Sequence, residues 1–168
     1  MTSEDKKKNI DPSLDHSLLV REQLIQHINT RDGWISFEEF VDFVMYKPGL
    51  GYYSAGAEKI GHSGDFTTAP EISKLFGMAL ANQITPILDH YQSSSIIEIG
   101  AGTGKLAFDI MTQLNDYQVN FDRYYILELS ADLKQRQQSM LSHLPTKTLN
   151  KIVWLDSIPM DSIDGVII

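Results

Sequence analysis

Apolar residues recur along this chain with two different periods, and the change comes near residue 93. Leu14, Leu18, Ile25 and Ile28 keep helical spacing and predict an amphipathic helix over about 13–29. Ser36-Phe37-Glu38-Glu39 has the form of a capping box, with Ser at the cap and Glu three residues on. Phe37, Phe40, Val41, Val44 and Met45 then line one face of a second helix, which Pro48-Gly49 should end. Thr68-Ala69-Pro70-Glu71 is a second such box with Pro in its first turn. It predicts one long helix carrying Ile72, Leu75, Phe76, Ala79, Leu80, Gln83 and Ile84. Beyond residue 93, short apolar runs alternate with helical stretches. Strands are expected at about 95–100, 123–128 and 151–155 and from Gly165 on, with helices over about 104–115 and 130–142 and Ser130 capping the last. That alternation implies an α/β fold with a parallel sheet and right-handed crossovers. The expected organisation is a flexible N-terminus at 1–12, a helical segment at 13–92 containing a glycine-rich loop, and the first half of an α/β domain at 93–168.

The densest chemistry lies where the first strand should meet its helix. Glu98-Ile99-Gly100-Ala101-Gly102-Thr103-Gly104 is a tight glycine turn after an acidic strand residue, placed to present helix N–H groups to a ligand. A phosphate-binding P-loop would need Gly where Ile99 stands and Ser or Thr where Leu106 stands. A dinucleotide fingerprint would need Gly at Lys105. What is left is G-x-G-x-G behind a carboxylate, which suits S-adenosylmethionine. Its amine needs an anionic partner, supplied or oriented by Glu98, and its carboxylate needs backbone donors at a helix N-terminus. Arg123-Tyr124-Tyr125-Ile126-Leu127-Glu128 reads as the next strand, ending in a carboxylate. Glu128 lies ~25 residues past the turn, near the offset at which an acidic residue meets ribose hydroxyls in βαβ nucleoside sites.

Composition narrows the classes further. The chain has 168 residues, no cysteine and a net charge of −8. Disulfides, thiolate metal sites and a cysteine nucleophile are excluded, and non-specific binding to nucleic acid or an anionic membrane is disfavoured. No apolar run approaches the roughly 20 residues that span a bilayer. Lys6-Lys7-Lys8 is followed by no apolar stretch, and Glu4, Asp5, Asp11 and Asp15 do not suit a transit peptide, so a soluble cytoplasmic protein is expected. Asp164-Gly165-Val166-Ile167-Ile168 reads as the start of a buried strand with nothing behind it. We therefore expect an N-terminal piece of a longer protein, a truncated product or a degraded open reading frame.

Asp32 to Phe40 imitates the second half of a calcium-binding EF-hand loop. Setting Gly33 at loop position 6 puts Glu39 at position 12, but Ile28 then falls at position 1, where a carboxylate ligand is needed. A hairpin of two helices is the better reading. The stretch Gly51-Tyr52-Tyr53 through Gly61-His62-Ser63-Gly64-Asp65-Phe66-Thr67-Thr68 is long for an idle loop and suits a lid or clamp, although the cap at Glu71 would account for that residue without a ligand. No metal role is expected for His62, which has no His or Cys near it in sequence.

Several segments together carry a resemblance. Ile35-Ser36-Phe37 to Phe43, Tyr46-Lys47-Pro48-Gly49 with Gly51-Tyr52-Tyr53, Gly64-Asp65-Phe66-Thr67-Thr68-Ala69-Pro70-Glu71-Ile72-Ser73 with Phe76-Gly77, and Glu98 to Gly104 occur in one order. That order resembles the MidA-like class I S-adenosylmethionine-dependent methyltransferases, whose mitochondrial members are protein arginine methyltransferases that assist assembly of respiratory complex I. The resemblance covers about residues 33–168. It implies a Rossmann-like seven-stranded sheet of which this chain holds the first four strands. It further implies that Gly100, Ala101, Gly102 and Gly104 form the cofactor turn, that Glu98 sits beneath it, that Glu128 binds the ribose and that Asp156 approaches the adenine. The Gly64–Glu71 segment would fold over the cofactor, and Asp65 and Glu71 are the carboxylates here that could orient a guanidinium. A protein substrate follows, of which a respiratory-complex subunit is one class. Two alternatives stand beside this reading: a non-catalytic fragment that binds cofactor or partner, or self-associates, through an open sheet edge, and a nucleotide enzyme, which Ile99, Lys105 and Leu106 disfavour.

Overall fold

The computed structural model describes residues 12–56, 59–61, 64–91 and 94–168. Most of the polar stretch expected to be flexible, and His62, lie outside the described residues. Packing divides the chain into two compact units, one up to Ala55 and one from Gly56 to Ile168.

In the first unit, α1 (Pro12–Asn29) and α2 (Phe37–Tyr46) form the expected hairpin. Ser36 caps α2 by accepting the Glu39 N–H at 3.1 Å, which satisfies one of the donors a helix start leaves open. The Glu39 carboxylate turns to partners of its own unit, pairing with Arg31 and lying 3.3 Å from His27 Nε2. The residue that would close a calcium loop is therefore engaged within the hairpin. Burial, then the charges of Arg31 and Lys47, hold the His27 imidazole below its usual pKa. Its ring packs 5.0 Å from that of Phe43, the buried residue of α2. After α2 the chain folds back on it, with Tyr52 and Tyr53 donating to the carbonyls of Val44 and Met45 at 2.9 Å. Tyr53 stacks on Tyr46, and Tyr52 meets Tyr53 edge-on. Among the described residues, Leu14, Leu18 and Ile25 of α1 stay exposed while Ile28 is half-buried, so the helix forms as predicted with most of that face uncovered by them.

The second unit runs α3 (Ala69–Ile72), α4 (Leu75–His90), β1 (Ser95–Ile99), α5 (Lys105–Asp116), β2 (Tyr124–Leu127), α6 (Ala131–Leu141), α7 (Thr146–Leu149), β3 (Ile152–Leu155) and β4 (Gly165–Ile167). The strands form one sheet in the order β3-β2-β1-β4, and every pairing is parallel. Glu98 of β1 is level with Ile126 of β2, and Ile97 with Ile167 of β4. Ala81, Ile84 and Leu88 of α4, Ala107, Ile110, Met111 and Leu114 of α5, and Leu141 of α6 pack with Ile96, Tyr124 and Ile126 of the sheet. Burying such an aliphatic side chain is worth about 1.5–3 kcal/mol, and here that gain holds the strand ends in register. Among the described residues, no helix is long and apolar enough to cross a membrane.

Two elements depart from the sequence reading. The single long helix expected from Thr68 is broken, because Ser73 is extended at φ −158° and ψ 138°. Its hydroxyl accepts the Leu75 N–H at 3.2 Å and restarts the helix as α4. The second capping box is also not made. Thr68 forms no side-chain cap, and the Glu71 carboxylate reaches elsewhere. The short α7 was not expected. It begins after Pro145, whose carbonyl accepts the N–H groups of Thr148 and Leu149 at 2.9 Å.

Candidate functional site

All four strands are parallel, so their C-terminal ends open on one edge of the sheet. The chain passes from β1 through β2 to β3 on one side, then crosses back to place β4 on the other side of β1. The reversal of direction at β1 and β4 leaves a crevice above their ends, the usual ligand position in open α/β sheets.

The glycine turn rises out of this crevice. Gly100 donates to the Leu127 carbonyl at 2.9 Å and Ile99 to that of Ile168 at 3.0 Å, which pins the start of the turn to both neighbouring strands. Gly100, Gly102 and Gly104 then have φ of 75°, 54° and 85°, a left-handed conformation that costs other residues roughly 1–2 kcal/mol each. The alternation is therefore a backbone requirement as well as a means of making room. A Cβ on Gly100 would meet nothing within 4 Å, whereas one on Gly104 would come within 3.1 Å of Gln137 Cα on α6. A Cβ on Gly102 would lie 3.3 Å from Ile60 Cδ1, so the turn is open at its first glycine and covered at its second. Ala101 is buried in the core and anchors the turn from below. From Lys105 the chain enters α5, whose first N–H groups have no partner within the helix and carry its positive dipole end.

Two carboxylates lie beneath and beside this turn. Glu98 is 4% exposed and accepts from the hydroxyl of Tyr124, itself fully buried, at 2.8 Å. Burial pushes the Glu98 carboxyl up to about 7, the Tyr124 bond opposes that rise, and the nearby Glu128 charge adds to it. Burial, then the Glu98 charge, pushes the Tyr124 hydroxyl well above its ordinary range, so it remains a donor. Glu128, just past β2, is raised by burial and held down by hydrogen bonds. Its Oε1 accepts from Ser130 N and its Oε2 from Gln137 Nε2, both at 2.9 Å.

The remaining expected residues are placed less uniformly. The Glu71 carboxylate accepts from the Thr103 hydroxyl in the glycine turn, while Thr103 Oγ1 in turn accepts the Lys105 N–H at 3.3 Å. A residue that sequence reading explained as a helix cap is thus tied to the turn. Asp65 is exposed, and its carboxylate lies 3.5 Å from Lys59 Nζ. Asp156 follows β3, two strands from β1 on the same edge, with its side chain 95% exposed and 3.5 Å from Lys134 Nζ. The structure therefore gathers Glu98, Gly100, Ala101, Gly102, Gly104, Glu128 and Glu71 around one turn, with Asp65 and Asp156 toward solvent.

Three residues of this constellation went unnoticed in the sequence: Tyr124, Thr103 and Gln137. For Gln137 a signal was present. Leu133, Gln137 and Leu141 fall four apart and are the buried residues of α6, so a polar side chain stood on the face that packs inward.

With this geometry established, likeness to known proteins has a definite meaning. Residues 79–168 match the family model described as "Putative S-adenosyl-L-methionine-dependent methyltransferase". A Burkholderia thailandensis protein whose crystal structure holds S-adenosyl-homocysteine superposes with a TM-score of 0.78 at 37% identity, covering 94% of this chain and 42% of that one. The Danio rerio mitochondrial protein arginine methyltransferase NDUFAF7 is 29% identical over 77% of this chain and 33% of its own length. The Homo sapiens protein of the same name is 33% identical over 66% of this chain and 26% of its own. The chain thus spans a third or less of the length of these curated relatives. The motifs and the comparisons meet on one conclusion: the chain belongs to this family of S-adenosyl-L-methionine-dependent methyltransferases.

Proposed function

We propose that the C-terminal edge of this sheet holds S-adenosylmethionine and that the protein transfers its methyl group to a nitrogen of a protein arginine side chain. The observation that carries the reading is the buried acid Glu98 under an alternating left-handed glycine turn, with a second anchored carboxylate at the end of the neighbouring strand. The residues present fit the group. Gly100 leaves open space at the mouth of the turn, the first N–H groups of α5 suit a carboxylate, Glu98 suits an ammonium, and Glu128 suits a vicinal diol. When bound, the cofactor supplies a methyl group already activated on a sulfonium.

What the chain's own residues contribute is position and exclusion of water. Ile60 lies over Gly102 and covers that side of the turn. The bridge between Ile60 and Phe66, with Gly61 donating to the Phe66 carbonyl at 3.0 Å, holds this cover in shape. Glu71, held by Thr103, is the carboxylate best placed to orient a guanidinium by paired hydrogen bonds. Asp65, on the same segment, is a second candidate. The arginine assignment draws support from the names of the curated relatives.

The test is a calorimetric titration of the chain with S-adenosylmethionine, beside ATP and NAD. Saturable binding of the first alone is expected. A folded chain that binds none of them, or that prefers a nucleotide, would overturn the reading. The acceptor is tested by assaying methyl transfer to an arginine-containing and a matched lysine-containing peptide.

A further inference from the structure

We propose that Gln137 is a positioning residue for cofactor recognition. It locks the ribose-facing carboxylate Glu128 and the glycine turn into one rigid unit, so that ribose hydroxyls are met by a carboxylate already in place. This rests on the methyltransferase reading above and names how its nucleoside half is built.

Gln137 is fully buried on α6, and its amide is saturated on both sides. Nε2 donates to the Gly102 carbonyl at 3.0 Å and to Glu128 Oε2 at 2.9 Å. Oε1 accepts from Trp154 Nε1 of β3 at 3.0 Å. The chemistry fixes the amide's orientation, because two acceptors lie at one end and an indole donor at the other. One side chain therefore joins the glycine turn after β1, the carboxylate after β2 and the indole on β3.

The consequence for Glu128 is specific. A carboxylate can accept about four hydrogen bonds. Ser130 N and Gln137 Nε2 use one on each oxygen, and the Leu129 N–H also acts on the group. The carboxylate cannot swing without breaking these bonds, and capacity is left for a diol. Without Gln137, Glu128 Oε2 loses a donor in a buried place and the Gly102 carbonyl loses one in a partly buried place. Glu128 would then be held only by the backbone donors of Ser130 and Leu129, and part of the ordering that ligand binding exploits would be lost.

The experiment compares S-adenosylhomocysteine with its 2′,3′-dideoxy analogue on the wild-type chain, Gln137→Met, Trp154→Phe, Glu128→Gln and the Gln137→Met/Glu128→Gln double variant, each with a thermal melt. Gln137→Met keeps the volume of the side chain. It is expected to lower affinity for S-adenosylhomocysteine at least tenfold while changing that for the dideoxy analogue less than threefold. Within the Glu128→Gln background the same substitution should cost less than threefold, since the hold on the carboxylate is already disturbed and the bond to the Gly102 carbonyl is what is left to lose. Trp154→Phe releases only the far end of the amide and should lower S-adenosylhomocysteine affinity about threefold, so the inference remains testable should Gln137→Met fail to fold. Equal losses for both ligands would make Gln137 a packing residue and overturn the inference, as would unchanged affinity in both Gln137→Met and Trp154→Phe. Failure of the wild-type chain to bind either ligand would instead refute the methyltransferase reading, and the role of Gln137 with it.

Discussion

Two glycine-bearing stretches of the same unit meet at the turn, and they are built on opposite principles. Residues 98–104 grow out of the central strand, where side chains of β1, β2, β3, α6 and Glu128 make buried and partly buried hydrogen bonds to one another and to the turn. The stretch leading into α3 carries Asp65, Phe66 and a 73%-exposed Ile72 on its surface. It meets the turn through Glu71 at Thr103 and through Ile60 over Gly102. The first is rigid because moving any member strands a buried polar group, which costs about 1–3 kcal/mol. The second can shift by exchanging exposed contacts for water at little cost. The methyl transfer proposed above would use both: a fixed seat for the cofactor and an adaptable cover through which an acceptor would arrive.

The sharpest way to break this contrast is Gly102→Val. A β-branched residue at φ 54° with Ile60 Cδ1 already 3.3 Å from the first added carbon should distort the turn and remove cofactor binding, by roughly a hundredfold or more. Titration calorimetry on a variant shown by its melt to be folded would measure this, and retained affinity would mean that the turn is not the seat.

The buried acid makes the next largest prediction. Glu98 titrates near 4.5 in an unfolded chain and at about 7 when folded. The folded state therefore holds the proton to higher pH, and stability present below pH 4.5 is lost as pH rises through 7. Glu98→Gln should melt like the wild type near pH 4.5 and be more stable at pH 8 by up to roughly 3 kcal/mol. Parallel pH profiles for the two would show that Glu98 is not held in a dry site.

Smaller effects separate the two regions. Glu128→Gln keeps the shape but turns one of two accepting oxygens into an NH2 donor that faces Ser130 N or Gln137 Nε2, and should lower cofactor affinity by about 10–30-fold, or roughly 1.5–2 kcal/mol. Thr103→Val removes the donor to Glu71, and should cost about 1 kcal/mol while hydrogen exchange quickens over residues 64–72 and stays unchanged in β1. Asp65→Asn removes an exposed ion pair to Lys59 and should shift stability by less than about 0.5 kcal/mol. A large loss from it would mean that the cover is as rigid as the seat.

Much of this was legible before any coordinates. The strand–turn–helix pattern around Gly100–Gly104 and the carboxylates Glu98 and Glu128 stood out because local periodicity and turn chemistry write themselves into adjacent residues. Glu71 shows the limit. Its sequence neighbourhood offered a capping box, yet the carboxylate satisfies a hydroxyl 32 positions away. Such a choice depends on which donor the fold brings near. The break at Ser73 follows the same rule, since helical spacing continues through it and only packing of α3 and α4 decides where the chain bends.

By itself the sequence determined the order of the strands and of the main helices between them, the parallel sheet implied by their alternation, and the left-handed turn that its glycines permit. These are local properties, set by residue type and by spacing over a few positions. The tertiary structure alone decided the strand order that opens a crevice at β1 and β4, the burial that pushes Glu98 up to about 7, and the convergence of Gln137, Trp154 and Glu128 on one amide. Those depend on distances between residues far apart in the chain, which hydrophobic packing of the helices against the sheet creates.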